Sequence, residues 1–460
     1  MARGGTAMTS LSLADATSEP AAWDLAARTS LGDQLEAALT RFGDQRAFDD
    51  EGGLRFADLL DLSTELDPRD DSPVPLLESE SSLAFVVRIL ATLRAGRVPV
   101  LAQPGALDGN SLPTDLPNGT ALLLTSGGTT GTPKLIARGH AEYLVNVWLS
   151  ARNLELGESD VVLLPIPVAH NYALACPGVL GAILHGASFV VTRARRTPDL
   201  VPIVDRHGVS VLPLVPTQAR FDNAVARPKH PVRLVQVGGS PVTADDVRRL
   251  RAQWGGQVQA SFGMAEGLLC QSAPGDSDDL REASIGRTLS ERDEYRIVDA
   301  DATDGAGLLE VRGPYTIERY VASDEVNAAK FTPDGWFRTG DHAIAVTPRR
   351  FRVIGRADDV INRGGELIDP TAVEQLVRAH PGVLDVAAAG EPHRTFGQIA
   401  TAFAVLAEDV GPDTVLLDLL REHGDVQQVP DRLVAVDTIP VTSVGKVDRQ
   451  ALLTLERTPR

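Results

Sequence analysis

The run Ala121–Leu124 is short and wholly apolar, and every residue from Thr125 to Thr132 after it is Gly, Ser or Thr. That pattern predicts a buried strand emptying into a flexible polar loop. Glycines let backbone N–H groups turn toward an anion, the hydroxyls add donors, and Lys134 adds a positive charge. Such a loop suits phosphate. A P-loop is excluded by spacing, because Pro133 precedes Lys134 and Leu135 follows it, where that motif needs Gly-Lys-Ser/Thr opening a helix. A solubilising β-turn is the plain alternative, so the rest of the chain has to decide.

Around this loop the chain alternates helical and apolar runs. Leu31–Phe42 and Ser82–Ala95 keep helical spacing, the latter ended by Gly96, and Val98–Ala102 reads as a strand. Residues 1–28 have no period and read as a loose leader, and Asp67–Pro75 as a surface loop. Beyond the loop, helix Glu142–Leu154 and strands Val161–Pro165, Ser188–Thr192, Val209–Val215 and Leu234–Val237 are expected, with helix Pro241–Trp254 closing the series. Apolar strands alternating with helices predict an α/β fold with a parallel, doubly covered sheet. Short alternating strands after Gly286 predict a small β subdomain, and residues from Pro370 onward a compact α+β module. The expected division is a leader over 1–28, a large domain over 29–355 and a small one over 356–460.

The 460 residues carry a formal net charge of −18, which argues against a nucleic-acid ligand. No stretch approaches membrane-spanning length and the first residues lack an apolar signal core, so a cytoplasmic location is expected. Cys176 and Cys270 cannot make a disulfide framework and read as reduced core or pocket residues. The only lysines are Lys134, Lys229, Lys330 and Lys446. Two of them, Lys134 and Lys446, fall on Gly/Ser loops.

Several short segments carry chemistry. His170-Asn171-Tyr172 stands at the mouth of an apolar run ending in Cys176, the polar-tipped greasy wall of a small aromatic pocket. Gly238-Gly239-Ser240 closes one strand, and Ser261 to Gly267 the next, where open α/β sheets bind ligands. Glu266 there suits Mg²⁺, which takes one or two carboxylates plus substrate phosphates. Asp341 can accept both hydroxyls of a ribose, and Gly355-Arg356-Ala357-Asp358 can serve as a hinge. Taken singly, each also reads as a capped helix or a solvated turn.

As an ordered set, these motifs resemble the adenylate-forming superfamily of acyl-CoA synthetases, luciferases and nonribosomal adenylation enzymes, over about Leu31 to Leu453. Within it, His170-Asn171-Tyr172, Cys176 to Gly181, Gly263 to Leu268 and Arg312 to Thr316 resemble the stand-alone 2,3-dihydroxybenzoate and salicylate-AMP ligases. The resemblance implies that an aryl carboxylate attacks the α-phosphate of MgATP, and that the thiol of a separate, phosphopantetheine-bearing carrier protein then takes the acyl group. It implies ATP contacts from Thr125, Ser126, Gly127, Gly128, Thr129, Thr130, Gly131 and Lys134 on the phosphates. Gly239, Ser261, Phe262, Gly263, Met264, Ala265, Asp341, Val353 and Arg356 would complete the nucleotide site, with Mg²⁺ on Glu266. Lys446 would bridge carboxylate and α-phosphate beside His170, on a mobile C-terminal lid hinged at Asp358. Asn171, Tyr172, Cys176, Gly238, Ser240, Gly263 and Leu269 would line the aryl pocket. Asn171 matches the family's partner for an ortho hydroxyl or amino group, and Cys176 favours salicylate over dihydroxybenzoate, while Ser240 and Cys270 leave room for an anthranilate-like acid. The part before the phosphate loop is shorter than in the family, and Leu367 stands where a basic residue is usual. A CoA ligase and a non-catalytic scaffold are the rival readings.

Overall fold

The computed structural model describes residues 12–66, 74–77, 81–102, 107, 112–113, 115–126, 134–215, 218, 227–238, 244–273, 275–277, 285–300, 305–364, 366–423, 428–442 and 446–455. Gly127 to Gly131, Gly239 and Ser240 lie outside the described residues, and so does the side chain of Leu367.

The parallel strands Gln257–Gly263, Leu234–Gly238, Val211–Leu214, Val161–Leu164, Ser188–Val191 and Arg46–Phe48 are adjacent in that order, the middle ones built mainly from Val, Leu and Phe. β-branched and aromatic side chains fit a pleated surface buried on both faces. Alternate residues serve two cores. Leu163, Val190, Leu212, Val235 and Val237 meet Leu200, Val204, Leu250 and Trp254 on one side. Val162, Leu164, Phe189 and Val191 pack on the other with Val179, Leu180 and Ile183 of helix Gly178–His185. Past Gln257–Gly263 the sheet turns antiparallel and ends in the hairpins Glu294–Val298, Gly307–Arg312, Phe337–Thr347 and Arg350–Arg356, the expected β subdomain.

The phosphate-loop strand, Thr120–Thr125, belongs to a separate four-stranded sheet. It pairs in parallel with Pro99–Ala102 and antiparallel with Leu135–Gly139, a strand the sequence pattern did not predict. Val74–Leu77 forms the far edge, so Val74 and Pro75 are not loop as expected. The expected loose leader also differs: Glu19–Ala26 is a helix that buries Ala22 and Ala26 and packs on helix His140–Asn153. The residues it buries are alanines, too small to show a hydrophobic period. Helix Leu83–Arg94 starts as predicted, with Ser82 Oγ accepting from Phe85 N at 3.3 Å.

From Ile361 on, the chain has its own core. Ile361, Val373, Val377, Val386, Ala402 and Val415 cluster without residues from the large sheet. Helix Pro370–Arg378 packs on strands Val383–His393 and Gly397–Leu406, and helix Pro412–His423 on strand Arg432–Ala435, which runs parallel to Gly397–Leu406. No helix among the described residues is long and apolar enough to cross a membrane.

Candidate active site

The apolar run after His170 splits into helix Asn171–Ala175 and helix Gly178–His185. His170, not Asn171, caps the first: its Nδ1 accepts from Tyr172 N at 3.2 Å. That hydrogen bond puts the ring proton on Nε2. Burial, with the nearby positive charge of Lys446, pushes the His170 pKa down to about 3, so the imidazole is neutral at any physiological pH.

Asn171 Oδ1 accepts from Tyr143 OH at 2.6 Å, which leaves the amide N–H groups without a partner among the described residues. Tyr143 is buried and held in turn by the Arg138 guanidinium, 4.6 Å over its ring. Tyr172 donates to Gln236 O at 3.2 Å and lies on Gly238, where a Cβ would stand 3.3 Å from Tyr172 Cζ and 3.0 Å from Ser261 O. Glycine is therefore needed for the ring to reach this position. Cys176 is buried, with Sγ 3.9 Å from Asn146 Oδ1, while Asn146 Nδ2 donates to Gly267 O. Burial pushes the Cys176 pKa up to about 12, so it stays a thiol. Leu269 and Cys270 are buried on the strand that pairs with Ser261–Gly263. Phe262 stands edge-on to Phe351 at 5.7 Å.

Arg138 organises this region. Its side chain is fully buried and bidentate to Glu142, with Nε–Oε1 at 3.0 Å and Nη2–Oε2 at 2.6 Å. It also donates to Ala265 O at 2.8 Å and Tyr315 O at 3.3 Å. One cation thus joins the strand behind the phosphate loop to the Met264–Ala265–Glu266 turn.

At the loop itself, Ser126 N donates to Lys134 O and Lys134 N to Ser126 Oγ, each at 2.9 Å, closing the neck. Lys134 Nζ lies 5.3 Å over the ring of Tyr320, whose hydroxyl donates to Glu266 Oε1 at 2.6 Å. Glu266 Oε2 keeps no partner among the described residues. Opposite one another across a hairpin, Asp341 and Arg356 form an ion pair at 3.2 Å. Burial raises the Asp341 pKa, and Arg356 opposes that shift. Val353 sits partly buried on the same strand. Lys446 O accepts from Thr442 N at 2.7 Å. As a residue it is exposed, and dehydration of its ammonium lowers its pKa while Asp341 and Glu266 counteract. Arg449, just beyond, is tied to Glu374 at 2.7 Å. Asp358 is exposed on the turn after Arg356.

The structure thus gathers His170, Glu266, Asp341, Arg356 and Lys446, with Asn171, Tyr172, Cys176 and Gly238 in an adjoining pocket. Sequence reasoning missed Tyr143, Arg138, Asn146 and Tyr320, which reach the site from other elements.

A model for AMP-binding enzymes matches residues 103–321, and one for the AMP-binding enzyme C-terminal domain matches residues 372–446. Triostin synthetase I of Streptomyces triostinicus is 39% identical over 434 residues, 81% of this chain and 82% of that protein. The chain belongs to the adenylate-forming AMP-binding enzymes. The salicyl-AMP ligase / salicyl-S-ArCP synthetase of Mycobacterium tuberculosis is 39% identical over 76% of this chain, but the match spans 64% of its length. The match likewise spans 62% of a streptomycete salicylyl-CoA synthase and 65% of the 2,3-dihydroxybenzoate-AMP ligase of Bacillus subtilis. The apo structure of Mycobacterium smegmatis MbtA superposes with a TM-score of 0.64 at 32% identity, covering 93% of this chain and 94% of that one.

Proposed function

We propose that this chain uses MgATP to adenylate an ortho-substituted aryl carboxylic acid, salicylate-like, and passes the acyl group to the phosphopantetheine thiol of a separate carrier protein. The observation that carries the proposal is the Asn171 amide. Tyr143 fixes its oxygen, so the amide presents N–H groups to a ligand. An N–H donor suits an acceptor beside the carboxylate, and an ortho hydroxyl oxygen accepts better than an aniline nitrogen. A 3-hydroxyl would find only the weak Cys176 thiol, and burying it unpaired costs about 1–3 kcal/mol. Salicylate is therefore favoured over 2,3-dihydroxybenzoate.

In the first step a carboxylate oxygen bonds to the α-phosphorus, the bond to the β-phosphate bridge breaks, and pyrophosphate leaves. Carboxylate and phosphate repel each other, and Lys446 between them offsets that charge as the bond forms. Neutral His170 offers Nε2–H to the carboxylate without adding charge. Asp341 accepts from the ribose hydroxyls, Arg356 reaches ribose or phosphate, and Lys134 and the Thr125–Gly131 loop take the outer phosphates. Glu266 fits Mg²⁺: one oxygen is oriented by Tyr320, the other is open, and the ion would neutralise phosphate charge. In the second step the thiol sulfur attacks the acyl carbon and AMP leaves. For this step the module from Arg356 onward is proposed to turn about Asp358 and withdraw Lys446.

Substrate-dependent ATP–pyrophosphate exchange over salicylate, 2,3-dihydroxybenzoate, benzoate, anthranilate and 3-hydroxyanthranilate tests the substrate. Salicylate should lead. Equal rates with benzoate would remove the role given to Asn171. Transfer to free CoA as readily as to a carrier would make the enzyme a CoA ligase instead.

A further inference from the structure

Lys330 ends helix Asp324–Lys330, and its ammonium reaches over Gly340, next to Asp341. A Cβ on Gly340 would stand 3.7 Å from Lys330 Nζ and 3.2 Å from Arg356 Nη2. Gly340 also has φ of 77°, so glycine both permits the turn and keeps the lane between the two cations open. Lys330 is half-buried, and its ammonium makes no ion pair or hydrogen bond with a described residue. Dehydration, Lys134 and Arg356 all lower its pKa, opposed by Asp358 and Glu266.

A partly dehydrated cation with two more cations beside it is unfavourable unless an anion joins them. The cluster of Lys134, Lys330, Arg356 and Lys446 against Glu266, Asp341 and Asp358 is net positive, in a chain whose formal charge is −18. We propose that Lys330 is a phosphate ligand, contacting the terminal phosphates of ATP, and the pyrophosphate that leaves, alongside Lys134. The assignment to terminal phosphates follows from its neighbours: Lys134, at the neck of the phosphate loop, is among the charges that act on Lys330, whereas the lysine that acts on His170 is Lys446. This rests on the nucleotide-binding reading above.

The test is calorimetric titration of MgATP, magnesium pyrophosphate and AMP into the wild type, Lys330→Gln and Lys330→Arg, with the thermal midpoint of each apo-protein. Losing one charge-assisted contact should weaken MgATP and pyrophosphate about tenfold to a hundredfold. AMP, which lacks the terminal phosphates, should bind as before. Arginine should restore most of the loss, and the apo midpoint of Lys330→Gln should equal or exceed that of the wild type. Equal MgATP affinity in Lys330→Gln overturns the assignment and leaves the nucleotide site standing. Parallel loss of all three ligands with a lower apo midpoint shows a structural lysine and also overturns it. If the wild type binds neither MgATP nor AMP, the nucleotide reading itself falls and this assignment with it.

Discussion

Replacing Arg138 by Met should destabilise the large domain far more than a surface arginine would. The side chain has no solvent exposure and makes four hydrogen bonds, two to Glu142 and one each to Ala265 O and Tyr315 O. Removing one partner of a buried pair costs about 3–5 kcal/mol, and a buried carbonyl left unpaired about 1–3 kcal/mol. Glu142 is 21% exposed and still accepts from Gly139 N at 2.6 Å, so it can partly rehydrate. The sum, with two carbonyls orphaned, therefore belongs near the low end, about 5 kcal/mol. Urea unfolding followed by the fluorescence of Trp148, on the neighbouring helix, reads this loss. Glu142→Gln alone and combined with Arg138→Met should show strong non-additivity. Because Arg138 also supports Tyr143, and through it Asn171, the KM for the aryl acid should rise more than the KM for ATP. A loss below about 1 kcal/mol, the size typical of a surface ion pair, would refute the organising role.

Two other perturbations follow from the same geometry. Burial raises the Asp293 pKa from 3.8 to about 7, against the hydrogen bond from Tyr315 OH. Stability from this carboxyl is fully present below pH 3.8 and is lost as pH rises through about 7, a change of up to about 4 kcal/mol. Asp293→Asn should therefore flatten the decline in urea stability between pH 5 and pH 8, and an unchanged decline would contradict the assignment. Cys176→Ser gives a 3-hydroxyl a proper partner, so the ratio of kcat/KM for 2,3-dihydroxybenzoate to that for salicylate should rise about tenfold; no change would place Cys176 outside the pocket wall.

Much of the architecture was legible because burial leaves plain marks. The parallel strands Val161–Leu164, Ser188–Val191 and Val211–Leu214 read as apolar runs, since both faces are covered, whereas Arg46–Phe48 and Gln257–Gly263 carry Arg and Gln and did not, and helix Leu83–Arg94 showed itself by its spacing. Leu135–Gly139 escaped because an inward position holds Arg138, whose charge is satisfied only by Glu142 and distant carbonyls. Helix Glu19–Ala26 escaped because alanines do its packing. Lys134, Glu266 and Lys446 outside the regular elements, and Asp341 on strand Phe337–Thr347, were each singled out from its own motif in the sequence. Tyr143 and Tyr320 were not, because what gives them a role is a contact 28 and 54 residues away, which no local pattern encodes. Lys330 could have been found by counting: in a chain whose basic residues are almost all arginine, three of the four lysines converge on one site.

The most direct measurement is mass detection of the aryl-AMP formed from MgATP and salicylate by the wild type and by Lys446→Ala. The account predicts aryl-AMP with the wild type, and loss of at least about a hundredfold in its rate of formation when the ammonium is removed. Adenylate formed at the same rate without Lys446, or none formed from any ortho-substituted aryl acid by the wild type, would contradict it.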